Sequence, residues 1–187
     1  MKLPNNTHLY FLRHCSTENN NRNIITGSLD IPICSNAYVD YLEVKSFDNL
    51  IIVSSPLVRC RETVDLLKNN AMIKNPTIYC EQLAERSMGI FEGLDRKKLP
   101  GDYPNFFDEN KFIYFLTPPK GESFYEFSKR ADVFINVYLN SLLKKNNVLI
   151  CSHNQIMKIL YIKINKIDLH QNWNKINFKN GKVYMIF

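Results

Sequence analysis

The sequence lacks the features that would place it in several large protein classes. No stretch approaches the ~20 apolar residues needed to span a bilayer. No Cys-x-x-Cys pair occurs, and the five cysteines, at 15, 34, 60, 80 and 151, are scattered and odd in number. A disulfide framework is therefore not expected. Four of the cysteines lie within or beside apolar segments, where a free thiol behaves as a small hydrophobe. There is no internal repeat and no linker. The one low-complexity patch, Asn19-Asn20-Asn21, is too short to hinge two domains. The N-terminus, MKLPNNTHLYFLRHC, has a single Lys, then polar residues, then a short apolar run broken by Arg13, a poor match to a secretory signal. A cytoplasmic location is the expectation. A dense basic run is missing as well, since Arg96-Lys97-Lys98 and Lys144-Lys145 are the densest. Neither nucleic acid nor a membrane surface is an expected partner.

What is present suits one globular domain over residues 1–187, with 45% hydrophobic and 22% charged residues. The formal net charge is +6, from 17 Lys and 7 Arg against 18 acidic residues. Scattered Lys reads first as a solvated surface, with a general attraction for anions. Nothing in the sequence decides between a monomer and a homodimer.

Apolar runs bounded by polar clusters predict strands at Thr7–Leu12, Leu50–Ser54, Thr77–Cys80 and Val148–Cys151. Asn180-Gly181, between Ile176-Asn177-Phe178 and Val183–Phe187, predicts a C-terminal hairpin. Helical patterns lie between the strands, at 57–70 after Pro56, at 122–145, and at 152–164. Ser55 is a candidate cap for the first of these. Residues 94–119, rich in aromatics, Pro and Asp, read as an irregular excursion. Strands alternating with helices predict a three-layer α/β/α sandwich around a mostly parallel sheet. In such folds ligands bind beyond the carboxyl ends of the strands.

At those ends stand Arg13-His14, then Ser54-Ser55-Pro56 with Arg59 one turn on, and Ser152-His153-Asn154. Arg offers a planar fork of donors matched to phosphate oxygens. His can act as a neutral nucleophile near pH 7. A buried Arg13 without an anion would be costly. His8 and His170 lack this placement and carry little functional weight.

Six segments in order resemble the histidine phosphatase, or phosphoglycerate-mutase-like, superfamily. They are Arg13-His14-Cys15-Ser16-Thr17 with Asn20; Thr26-Gly27-Ser28-Leu29-Asp30-Ile31-Pro32; Ser54 to Thr63; Leu83 to Gly93; Pro119 to Ser123 with Arg130; and Ser152-His153. The resemblance implies that His14 is the nucleophile that becomes phosphorylated. It implies that Arg13, Arg59 and His153 bind the phosphoryl oxygens, and that Glu85 is the proton donor and acceptor. Asn20, Thr26, Gly27 and Asn154 would contact phosphate or substrate. Glu81, Glu92 and Glu122 rival Glu85 on chemistry alone, and spacing to Gly89 and Glu92-Gly93 selects Glu85. No metal or cofactor is implied. The expected substrate is a small anionic phosphate ester.

The length favours the short phosphatase type over the mutase type. Cys15 and Asn154 replace family glycines. If those positions required positive φ, the cost would be on the order of 1 kcal/mol. Cys15 raises two further readings, a reactive thiol in the phosphate site and a catalytically weak phospho-ligand binder. Cys80 and Arg86 have the Cys-x5-Arg spacing of cysteine phosphatases, but two carboxylates within the loop would repel phosphate. A zinc site from His14, Cys15, Cys151 and His153 would leave the neighbouring arginines without purpose.

Overall fold

A computed structural model describes residues 7–44 and 48–187. Five strands form the main sheet: β1 (Leu9–Arg13), β2 (Leu50–Ser54), β3 (Thr77–Tyr79), β6 (Asn147–Ser152) and β7 (Val183–Met185), in the order β3-β2-β6-β1-β7. A separate two-stranded ribbon pairs β4 (Phe107–Asp108) with β5 (Lys111–Phe112). All pairings in the main sheet are parallel except that of β7 with β1.

The helices are α1 (Glu18–Asn21), α2 (Val58–Ala71), α3 (Leu99–Asp102), α4 (Phe124–Val133), α5 (Asn140–Leu142), α6 (Asn154–Asn165) and α7 (Leu169–Asn172). The predicted 122–145 helix forms as α4 and α5 joined through a π-helical stretch, Phe134–Leu139. Its start is fixed by a capping box in which Ser123 and Glu126 satisfy each other's backbone N–H groups.

Side chains of a strand alternate between its faces, so each central strand feeds two cores. Leu9, Phe11, Val148 and Ile150 pack under α4 and α6 with Phe127, Phe134, Ile156 and Leu160. Tyr10, Leu12, Ile52, Leu149 and Cys151 pack under α2 with Cys60, Val64 and Leu67. The result is the expected α/β/α sandwich. The 94–119 excursion folds over one end of the sheet, where Ile25, Met88, Phe91 and Leu99 form a third cluster.

The predicted C-terminal hairpin does not form. Gly181 adopts the positive φ of a turn, +68°. However, its N–H donates to the carbonyls of Arg13 and His14, and Asn180 Nδ2 donates to His14 O. Ile176–Phe178 is not a strand. Phe178 instead accepts from Arg13 and donates to Asn154. The Asn-Gly turn is thus used to seat β7 against β1 and to close the chain around the end of β1.

Candidate active site

The parallel register assembles the site. Arg13 pairs with Ser152, and Ser54 with Cys151, so the next residues along, His14, His153 and Ser55, emerge side by side. His14 N–H donates to Ser152 O and Ser55 N–H to Cys151 O, which extends the ladder by one step. The His14 and His153 ring centroids lie 5.1 Å apart.

His14 is 4% exposed, and its Nδ1 lies 2.7 Å from Cys15 O. A carbonyl only accepts, so Nδ1 carries the proton and Nε2 keeps its lone pair in the neutral ring. Burial, then the charges of Arg13 and Arg59, hold the His14 pKa well below the usual value of 6.5. The ring is therefore a neutral base at neutral pH.

His153 is fully buried, and burial with Arg59 and its neighbours also depresses its pKa strongly. Arg59 Nε donates to its Nδ1 at 3.1 Å, which places the ring proton on Nε2, 2.9 Å from Ser55 Oγ. Ser55 thus serves this histidine; the position next to α2 is Leu57, whose side chain makes no cap.

Arg59 is 1% exposed. Its remaining bonds go to Leu29 O and Gly27 O, at 2.6 and 2.9 Å. Arg13 Nη1 donates to Phe178 O, while its buried Nε has no partner among the described residues. Burial lowers the Arg13 pKa to about 10, against the pull of Glu85, so it stays cationic.

Glu85 is held by two backbone N–H groups, Arg86 to Oε1 and Gln155 to Oε2. Gln155 lies in the first turn of α6. Arg130 braces this loop by donating to the carbonyls of Gln82 and Ala84, and pairs bidentately with Glu122. Glu92 gathers Ser28 N, Ser28 Oγ and Met88 N, tying the 26–28 loop to the Glu85 loop. Glu92 and Glu122 are therefore occupied in structural bonds, and Glu81 does not line the cavity.

A cavity of about 310 Å³ opens over these groups. Arg13, His14, Asn20, Thr26, Gly27, Arg59, Glu85 and Asn154 all line it, and His153 sits behind them. Asn20 is bonded to Thr17 in the capping box of α1, and Asn154 Oδ1 accepts from Phe178 N. Thr26 Oγ1 is buried without a partner among the described residues. Arg96, Lys158 and an aromatic wall of Phe107, Phe112, Tyr114 and Trp173 also line the cavity and were not legible in the sequence. Only the i, i+4 spacing of Asn154 and Lys158 on α6 could have signalled one of them.

Neither departure from the glycine pattern strains the backbone, because neither Cys15 nor Asn154 has positive φ. Cys15 Sγ packs in the α2-side core and contacts Tyr38 O, away from the cavity. Burial raises its pKa, contrary to a reactive thiol in the phosphate site. Burial also raises the Cys80 pKa, and Arg86 donates to three backbone carbonyls, of Glu122, Tyr114 and Leu116. The Cys-x5-Arg pair thus forms no phosphate cradle. Cys151 Sγ is directed to Cys60 O.

A family description, the histidine phosphatase superfamily (branch 1), matches residues 9–186. Among curated relatives, a 2,3-bisphosphoglycerate-dependent phosphoglycerate mutase of Arabidopsis thaliana is 26% identical over 86% of this chain and 59% of its own. A broad-specificity phosphatase of Saccharomyces cerevisiae is 34% identical over 46% of this chain and 40% of its own. The chain thus spans less than two thirds of these relatives. Among solved structures, Bacillus stearothermophilus YhfR superposes with a TM-score of 0.80 at 22% identity, covering 96% of this chain and 90% of that one. The α-ribazole phosphatase of Shigella flexneri gives a TM-score of 0.73 at 21% identity, covering 96% and 89%. At these identities the likeness is one of fold.

Proposed function

This chain belongs to the histidine phosphatase superfamily, and from that membership we propose that it hydrolyses small phosphomonoesters through a phosphohistidine on His14. The observation that carries this reading is the state of His14. It is a buried neutral imidazole with its proton fixed on Nδ1, so the Nε2 lone pair is available for attack. The same cavity is lined by Arg13 and Thr26, whose buried Nε and Oγ1 have no partner among the described residues and would be satisfied by a phosphoryl oxygen.

His14 Nε2 attacks phosphorus as the bond to the leaving oxygen breaks, and protonated Glu85 gives its proton to that oxygen. Water then attacks the phosphohistidine, and the Glu85 carboxylate takes the water's proton. The P–N bond breaks, and inorganic phosphate and neutral His14 are released. Arg13 and Arg59 stabilise the charge on the equatorial oxygens, the kind of preorganised electrostatics that often dominates catalysis. His153, by accepting from Arg59 Nε, orients that guanidinium.

A mutase reading uses the same pocket with a substrate hydroxyl in place of water, and the Arabidopsis relative's name favours it. Turnover of an aryl phosphate in the presence of a chelator tests the hydrolytic reading. His14→Ala should lose activity about ten-thousandfold, and vanadate should inhibit the wild type. Equal rates in the two proteins, or no turnover in either, would contradict it. Interconversion of phosphoglycerates faster than their hydrolysis would favour the mutase.

A further inference from the structure

Arg13 brings its charge into the site on a side chain with few fixed points. Among the described residues its guanidinium makes one hydrogen bond, from Nη1 to Phe178 O at 2.7 Å. The aim of this cation therefore depends on where the Phe178 carbonyl stands.

Phe178 lies outside the strands, so no sheet ladder fixes its backbone. Two side chains hold it instead. Asn154 Oδ1 accepts from Phe178 N–H at 3.1 Å, and Tyr184 Oη accepts from Lys179 N–H at 2.8 Å. The second bond holds the same peptide unit whose carbonyl meets Arg13. The Phe178 ring makes edge contacts with Phe11, Tyr161 and Tyr184, at 5.7, 6.2 and 5.2 Å between centroids.

Asn154 is one of the two departures from the glycine pattern. It opens α6 directly after His153, and Arg13 pairs with Ser152 just before it. A side chain at this position can span from the end of β6 to the C-terminal segment. An N–H only donates, so the side-chain oxygen of Asn154 faces Phe178. A glycine here would leave that N–H without this acceptor.

We propose that Asn154 is a positioning residue for phosphoryl binding: its side-chain oxygen holds Phe178, and the Phe178 carbonyl aims Arg13. A glycine cannot supply this relay, so this chain sets Arg13 from its C-terminal segment. Asn154 takes no part in the phosphoryl transfer. The inference rests on the reading of Arg13 as a phosphoryl-binding group, but its test does not depend on turnover.

The probe is inorganic phosphate, titrated by calorimetry into the wild type and Asn154→Ala. The affinity should fall about three- to tenfold in the variant, the range of one hydrogen bond. The second readout is the Arg13 guanidinium in the phosphate-free protein, followed by NMR and assigned by its loss in Arg13→Met. A guanidinium held at one Nη turns slowly about Nε–Cζ and gives separate Nη1 and Nη2 signals. These should be separate in the wild type and merged in Asn154→Ala. Tyr184→Phe removes the hydroxyl that holds the Phe178–Lys179 peptide and should move both readouts in the same direction, which decides the matter if Asn154→Ala fails to fold. An unchanged affinity would overturn the proposal, as would merged signals in the wild type. A weakened affinity with the Arg13 signals still separate would also overturn it, because Asn154 would then touch the phosphate itself. The expected changes in a protein that hydrolyses no aryl phosphate would overturn the phosphatase reading and leave this one standing. Failure of the wild type to bind phosphate would overturn both.

Discussion

At the scale of the residue, geometry imposes the protonation states on which the chemistry depends. His14 and His153 are buried among arginines, so their neutral forms are favoured. Imidazole resonances followed by NMR should show both rings neutral at pH 6.5, and a midpoint at or above that value for either ring would contradict the assignment. Gly27 sits at φ +52°, and a Cβ there would collide with the Glu92 carboxylate. Gly27→Ala should therefore cost about 1 kcal/mol in backbone strain alone and loosen the loop that Glu92 fastens. Its predicted signature is a raised KM for a phosphate ester and a lowered melting temperature.

Much of the residue-level site was legible in the sequence, because His14, Arg59 and His153 stand just beyond strand ends. Parallel register turns that position into proximity. What could not be read was the hydrogen bonding. The donation of Arg59 Nε to His153 and the use of Ser55 as its partner depend on rotamers, which spacing does not encode. Lys158 was missed because it lies inside a helix rather than at a strand end, and the fold of the 94–119 excursion decides what surrounds it.

At the scale of the element, loops pinned by single side chains position the chemistry. Arg86 is fully buried, donates to the carbonyls of Glu122, Tyr114 and Leu116, and lies over the rings of Phe112, Phe124 and Phe127. Arg86→Met would leave three acceptors without this donor. A loss of about 2–4 kcal/mol is expected in denaturant unfolding, with the excursion the first segment to gain hydrogen exchange. A change below about 0.5 kcal/mol would contradict a structural role for this guanidinium. The strands and the main helices followed from periodicity, within a residue or two at most ends. The predicted hairpin failed because the turn chemistry of Asn180-Gly181 was legible but its partner was not. Tertiary bonds to Arg13, His14 and Asn154 outcompeted local strand pairing.

At the scale of the whole molecule, whose formal net charge is +6, one pocket concentrates five cationic side chains around one carboxylate among the described residues. The two buried histidines link stability to pH. Their pKa values fall on folding, so below pH 6.5 the unfolded chain binds more protons than the folded one. Stability from this source is fully present above pH 6.5 and declines as the pH falls below it. Inorganic phosphate should raise the melting temperature by occupying the site, and less so in Arg59→Met. An equal effect of phosphate on both proteins would place its binding elsewhere.

The proposed chemistry passes the phosphoryl group through His14. Rapid quenching of the enzyme during turnover of an aryl phosphate, at alkaline pH to preserve phosphohistidine, followed by peptide mass spectrometry, tests it directly. A phosphoryl adduct on His14 should appear before steady state and be absent from His14→Ala. Turnover with the adduct on another residue, or undiminished turnover by His14→Ala, would contradict it.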